Sequence, residues 1–309
     1  MTTDLDLAAL PRWRGQRGRL EVHYLTATDA ATGTGLWVHH EVVAPVDGDA
    51  YAHGWIATFP RDRAATYSRF GPSPAKPCVD GTLFTSPDAV LTTSSARGRA
   101  GDTTWDLHWP GGSRPLWTFP RWAWRRDMLP AAQVVPIPTT NITGVVGADQ
   151  YDGPGGLAHI DGHGSAKRWV WLHADLGGGD VLEVVAATAR RPVLRSLAPL
   201  PFVQLRVDGR DWPADPLAVA PLLRARIGDH SFRIRGIVGR RRFDVTATLP
   251  PERCVSIGYV DPDESTATCL NSEAADATVR LDRLTGRGWT TERAWTLDGT
   301  AHAEIGTRP

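Results

Sequence analysis

A chain of 309 residues is long enough for one large or two medium domains with a sizeable core. Lysine plus arginine balance aspartate plus glutamate at 34 each, so bulk charge gives no case for a nucleic-acid partner. No apolar run approaches the ~20 residues of a membrane span, and the start, MTTDLDLAALPRWRGQRGRL, lacks the basic lead and apolar core of a signal peptide.

A soluble, cytoplasmic protein is therefore expected, with no integral membrane span. Cys78, Cys254 and Cys269 are scattered without metal-type spacing, which fits reduced thiols rather than a disulfide framework. The cation is almost entirely arginine; Lys76 and Lys167 are the lysines. Thirteen tryptophans imply a large core, an aromatic-lined pocket, or both.

Residues 1–18 read as a ragged lead. Alternation in LEVHYLT (Leu20–Thr26) marks a first strand, and Leu36–Val43 pairs with it as a hairpin, with Trp37, His39 and Glu41 on one parity. Glu41 is expected on an exposed face. In YAHGWIATF a third strand puts Tyr51, His53, Trp55 and Phe59 on one side. Arg61–Pro77 reads as a loop, because FGPSPAKP holds three prolines. Strand pieces follow at 82–85, 89–95 and 103–109, then an aromatic connector at Leu116–Trp124. Gln133–Thr140 (QVVPIPTT) reads as an extended linker, and the division into domains 1–138 and 139–309 is placed there.

The second half repeats the β pattern at 141–146, 181–188, 203–207, 231–238, 242–249, 254–260, 267–270, 277–281 and 289–298, with a short helix at 216–225. The expected class is all-β, two consecutive antiparallel units.

Leu157–Leu176 carries the densest chemistry. Trp169, Trp171, His173 and Asp175 share one parity, and Val170, Leu172, Ala174 and Leu176 the other. Upstream, His159, Asp161 and His163 repeat at the same spacing. A buried Asp175 would hold its proton near neutrality and act, with His173, as an acid beside two indoles. Indole faces stabilise a developing cation, and a proton donor among aromatic walls suits alkene protonation and cyclisation. The plain alternative is a hydrogen-bond network closing a barrel end. The histidines also have the types for a zinc or iron site, but no known ligand spacing is matched, so no metal is assigned. Glu273, in CLNSEAAD, is a further acid expected at a strand or turn end. Arg240–Arg242 reads as a solvated strand rim. The glycine-rich pieces lack a phosphate-loop lysine, and neither a G-x-S-x-G turn nor a dinucleotide fingerprint is present.

On Gly164, Trp169, Trp171 and His173, with the YAHGWIATF strand and Gly144-Val145-Val146, the chain resembles the hydroxyneurosporene synthase (carotenoid 1,2-hydratase) and tocopherol cyclase-like family. That group is similar in turn to lipocalin-like Diels–Alderases. The resemblance implies two lipocalin-like β-barrels packed together and a pocket for an apolar polyene, isoprenoid or polyketide. It also implies hydration, cyclisation or pericyclic closure without a cofactor. The family's run before W-x-W is Y-x-D-x-N-like, whereas those places here read Ala158, Ile160 and Gly162, so its hydratase acid has no counterpart.

The leading expectation is a cyclase or isomerase with Asp175 or His173 as proton donor. Asp161, His159 and His163 would orient groups, and Trp55, His53, Trp169, Trp171 and Glu273 would line the substrate. The partner is a hydrophobic small molecule, and no cofactor is expected. A non-catalytic carrier of a hydrophobic small molecule is the second reading. A metal-dependent enzyme using the histidine cluster is the third.

Overall fold

The computed structural model describes residues 3–79, 81–111, 114–126, 131–162, 166–190 and 198–309. Its contacts divide the chain into two units. The first comprises Met1–Trp117, Arg121–Gly164 and Tyr259–Thr266; the second comprises Thr118–Pro120, Ser165–Gly258 and Ala267–Pro309.

In the first unit the strands are β1 (Arg19–Thr28), β2 (Gly35–Ala44), β3 (Tyr51–Phe59), β4 (Thr66–Pro74), β5 (Phe84–Thr85) and β6 (Ala89–Leu91). They continue as β7 (Ser95–Ala100), β8 (Thr103–His108), β9 (Leu116–Trp117), β10 (Ala131–Val146) and β11 (Asp149–Gly162). Helices α1 (Asp4–Ala9) and α2 (Arg121–Arg125) accompany them. The sheet order is β4-β3-β2-β1-β11-β10-β8-β7-β6-β5, with β9 beside β10.

The second unit holds β12 (Ala166–Gly177), β13 (Asp180–Ala189), β14 (Leu200–Val207), β15 (Arg210–Trp212) and β16 (Leu223–Ile227). It continues with β17 (Ser231–Val238), β18 (Arg241–Thr248), β19 (Val255–Val260, its last two residues counted with the first unit), β20 (Thr266–Thr285, its first residue likewise) and β21 (Gly288–Thr307), plus α3 (Pro216–Val219). Its order is β15-β14-β13-β12-β21-β20-β18-β17-β16, with β19 beside β20. Both sheets are antiparallel and curled as half-barrels, so the all-β, lipocalin-like architecture stands. In both, the opening strand pairs with its successor on one side and with a late strand on the other.

Alternation explains each core. Leu36, Val38 and Val42 of β2 and Ala52 and Ile56 of β3 line the first unit's apolar cluster. Val170, Leu172 and Ala174 of β12, with Leu182 and Val184 of β13, do so in the second. Each fully buried Leu or Val contributes roughly 1.5–3 kcal/mol. The other parity of these strands carries the polar and aromatic residues.

Four expectations need correction. Residues 133–140 are part of β10, not a linker, so the division near 138 falls inside a strand, and both β10 and β11 belong to the first unit. Register shifts at Val134/Ile137 and Ile137/Thr140 accommodate Pro136 and Pro138, which have no N–H for the ladder. FGPSP, read as loop, is the end of β4, an edge strand where proline's missing donor costs no ladder bond. Glu273 lies within the 20-residue β20, not at a turn. The ragged lead contains α1, capped reciprocally by Thr3 and Asp6. All three cysteines are free, and among the described residues no helix is long and apolar enough to cross a membrane.

Candidate functional site

The second unit assembles a polar cluster on the face of β12 opposite its aliphatic core. Register places Glu183 of β13 across from His173, and His302 of β21 on its other side. Glu183 is fully buried and uses both oxygens: Trp171 donates Nε1–H to Oε1 at 2.5 Å, and His173 donates Nδ1–H to Oε2 at 2.8 Å. Burial alone would lower the His173 pKa. The bond to Glu183 and its charge, with Asp175 and Glu273 nearby, outweigh that and raise it. Among the described residues no hydrogen-bond partner meets His173 Nε2. The imidazole is therefore oriented at one nitrogen, while the other is buried without a hydrogen bond, so it is not committed to a structural partner.

Around it stand groups pushed toward neutral forms. Glu273, in the irregular register between Ser272 and Ala275, is buried, and burial carries its pKa well above the carboxylate range against the pull of Asn271 and His173. Burial, then the charge of His173, lowers His302 to about 3. Glu273 Oε2 and His302 Nδ1 lie 2.5 Å apart without hydrogen-bond alignment, and with both shifts toward neutrality this contact is not an ion pair. Trp169 donates Nε1–H to Glu304 Oε1 at 2.6 Å, and burial raises that carboxyl. The Trp169 indole lies over Gly306, where a Cβ would come within 2.0 Å of the ring.

The first unit builds a second cluster. On the non-core face of β2 and β3, Glu41 Oε2 lies 3.2 Å from His39 Nε2 and 3.4 Å from His53 Nε2. His39 stacks on Trp55 at 3.8 Å, and Tyr259 meets Trp55 edge-on at 5.3 Å. Glu41 is buried, not exposed as expected. Burial raises it to about 7, aided by Asp261 and opposed by His53 and Arg69. Burial lowers both His39 and His53.

The expected residues thus separate. His173, Trp169, Trp171 and Glu273 come together in the second unit; His53 and Trp55 meet in the first. Asp175 is half-buried at the strand end rather than sealed, and its Oδ1 accepts the Gly177 N–H at 2.8 Å. His159 sits on the core-facing parity of β11, with Nδ1 2.7 Å from the Ala8 carbonyl oxygen and Nε2 3.1 Å from Glu21 Oε1. Asp161 pairs with Arg12 at 2.6 Å and Arg19 at 2.7 Å. Together with His23, stacked on His159 at 4.0 Å and bonded to the Ala9 carbonyl, they tie α1 and the segment after it onto the sheet. His163 and Gly164 lie outside the described residues. Among the described residues no group of three or more histidine, cysteine or acidic side chains has metal-holding geometry.

Sequence reasoning passed over Glu183, His302 and Glu304. The alternation of His302 and Glu304 with Ala301, Ala303 and Ile305 is readable, but it lies beyond the last expected strand, 289–298. Glu183 had a weaker signal, one charge within an aliphatic run.

No protein-family model matches the chain. It is 48% identical over 308 residues to two Mycobacterium tuberculosis proteins, "Uncharacterized protein Rv0493c" of strain H37Rv and "Uncharacterized protein MT0513" of strain CDC 1551. The match covers 97% of this chain and 90% of each relative. The chain belongs to their family. Among solved structures, this family member resembles CghA (TM-score 0.58, 12% identity, 94% of this chain and 88% of that one). It also resembles an AttH-like protein of Nitrosomonas europaea (TM-score 0.57, 13% identity, 96% of both chains). A third likeness is to kievitone hydratase of Nectria haematococca (TM-score 0.53, 10% identity, 98% and 91%). At such identities the likeness is one of fold.

Proposed function

We propose that this protein is an enzyme that performs proton-transfer chemistry on a largely apolar small molecule, with His173 as the donor. The class is cyclisation, isomerisation or hydration of an isoprenoid, polyene or polyketide, without an organic cofactor. The observation that carries the reading is the buried Trp171–Glu183–His173 arrangement: the carboxylate fixes Nδ1–H and supports the imidazolium, and the buried Nε2 is left without a hydrogen bond. An imidazolium is too weak an acid for an isolated alkene. It suits donation to an oxygen or a conjugated system, so the substrate is expected to carry a carbonyl, hydroxyl or polyene terminus. Trp169 and Trp171 would be its walls, Glu273 and His302 a neutral pair that shuttles the proton, and Asp175 a charge supporting His173. The fold likeness to kievitone hydratase and CghA supports a hydratase or cyclase kind. The resemblance to hydroxyneurosporene synthase adds the isoprenoid option.

The test begins with organic extraction of the purified protein to identify bound metabolites. Those and a panel of oxygenated polyenes and polyketides are then assayed by mass spectrometry. An isomeric product marks cyclisation or isomerisation; a gain of one water marks hydration. If His173→Ala and Asp175→Asn both retain full turnover, the assignment falls. Tight binding with no product would instead support the carrier reading.

A further inference from the structure

Outside the cluster around His173, the second unit has an outward sheet face with unbalanced charge. Its register runs Arg226–Arg233–Thr246–Thr278 in one row and Arg224–Arg235–Asp244–Arg280 in the next. Two arginine pairs, Arg224/Arg235 and Arg226/Arg233, therefore stand directly opposite each other on β16 and β17. Like charges in that position destabilise a sheet. All four arginines are exposed. Arg233 pairs with Asp244, and Arg224 is occupied by the Pro221 and Leu223 carbonyl oxygens. Arg226 and Arg235 have no ion-pair partner among the described residues.

At one end of this block lie two exposed aliphatics. Leu222, 52% exposed, immediately precedes β16, and Ile237, 51% exposed, follows the β17 partner of Leu223. Charge on an edge strand is an ordinary guard against sheet-to-sheet aggregation. Such a guard does not need a second charged strand, and it is not served by bare leucine and isoleucine beside it. Base stacking, the usual companion of a basic groove for nucleic acid, has no aromatic side chain in these rows.

We propose that the outer face of β16 and β17 docks on an anionic lipid surface. Arg224, Arg226 and Arg235 meet the headgroup phosphates, and Leu222 and Ile237 enter the headgroup boundary. Lipid phosphates relieve the arginine repulsion, and the two aliphatics add apolar burial. None of these residues belongs to the cluster around His173, so this inference stands or falls separately from the proposed reaction.

The experiment is co-sedimentation of the full chain with vesicles of phosphatidylcholine plus phosphatidylglycerol, and with phosphatidylcholine alone. Binding is expected only to the anionic vesicles, and it should weaken as salt rises. Each arginine near the surface is expected to contribute about fivefold, so the triple variant Arg224→Gln/Arg226→Gln/Arg235→Gln should lose on the order of 100-fold in partitioning. Its thermal midpoint should hold or rise, because the opposed charges are gone. Leu222→Ser/Ile237→Ser should weaken anionic-vesicle binding while sparing its salt dependence. Equal partitioning of wild type and triple variant overturns the proposal. So does tighter retention on duplex DNA, or displacement by inorganic phosphate beyond that by chloride at equal ionic strength.

Discussion

The two units place the same residue types on the non-core face of neighbouring strands, β12 and β13 in one and β2 and β3 in the other, and reach opposite electrostatic outcomes. In the second, Glu183 accepts one N–H on each oxygen, from Trp171 and His173, and the His173 pKa rises. In the first, a single oxygen of Glu41 is shared between His39 and His53, with the negative charge of Asp261 nearby. There the carboxyl rises to about 7 while burial lowers both histidines. Buried histidine and glutamate therefore do not define a proton donor by composition. The geometry of the carboxylate decides which partner holds the proton.

The contrast breaks most decisively on turnover. His173→Ala is expected to lower kcat/KM by roughly 10²–10⁴, the usual worth of a positioned general acid. His39→Ala should cost less than about tenfold on the same scale. Equal losses would erase the distinction. Glu183→Gln sharpens it through the pH profile. His173 acts while protonated, and its raised pKa extends that range upward, so the variant's alkaline limb should move to lower pH. A shift of about one unit would cost about tenfold in kcat/KM on that limb. Rescue of the limb by Glu183→Asp, with Trp171 unmoved by fluorescence, would separate charge from packing.

Stability supplies smaller effects. Gly306→Ala places a methyl group against the Trp169 indole and should lower stability by about 1–3 kcal/mol in thermal melts, as overpacking does. Glu41 titrates near 7 folded and near 4.5 unfolded, so its contribution is full below pH 4.5 and lost as pH rises through 7. Glu41→Gln should flatten that window. Acid should expose the reverse slope from the buried histidines. His23 and His302, both lowered to about 3, contribute stability that fades as pH falls from 6.5 toward 3.

Much of this was legible in the chain. Period-two alternation placed Trp169, Trp171 and His173 on one face, and it placed Trp55 with His53. Parity assigns a side chain to a face but does not say which strand lies next to it. Glu183 and His302 touch or flank His173 because β13 and β21 pair with β12, and the second pairing is remote in sequence. The same ignorance of neighbours misled the reading of Asp175, whose position at the strand end leaves it half-open. The H-x-D-x-H run has the residue types of a ligand set but no known ligand spacing, and His159 and Asp161 are taken up by α1, Glu21, Arg12 and Arg19. Prolines misled the reading of β4 and β10, because an edge and a pair of register shifts absorb them.

Zipping the opening strand of the second unit to its closing one has a consequence for synthesis. Strands β12 and β13 are adjacent, so Glu183 and His173 meet in an early hairpin. Leu172 finds its other neighbour, Ala303, only when β21 emerges. Until then one edge of β12 has no partner, and the tryptophan-bearing strand is a template for the wrong chain. Closure over so long a separation is slow. The interval before β21 arrives is when nascent chains of this protein are most exposed to aggregation and to chaperones.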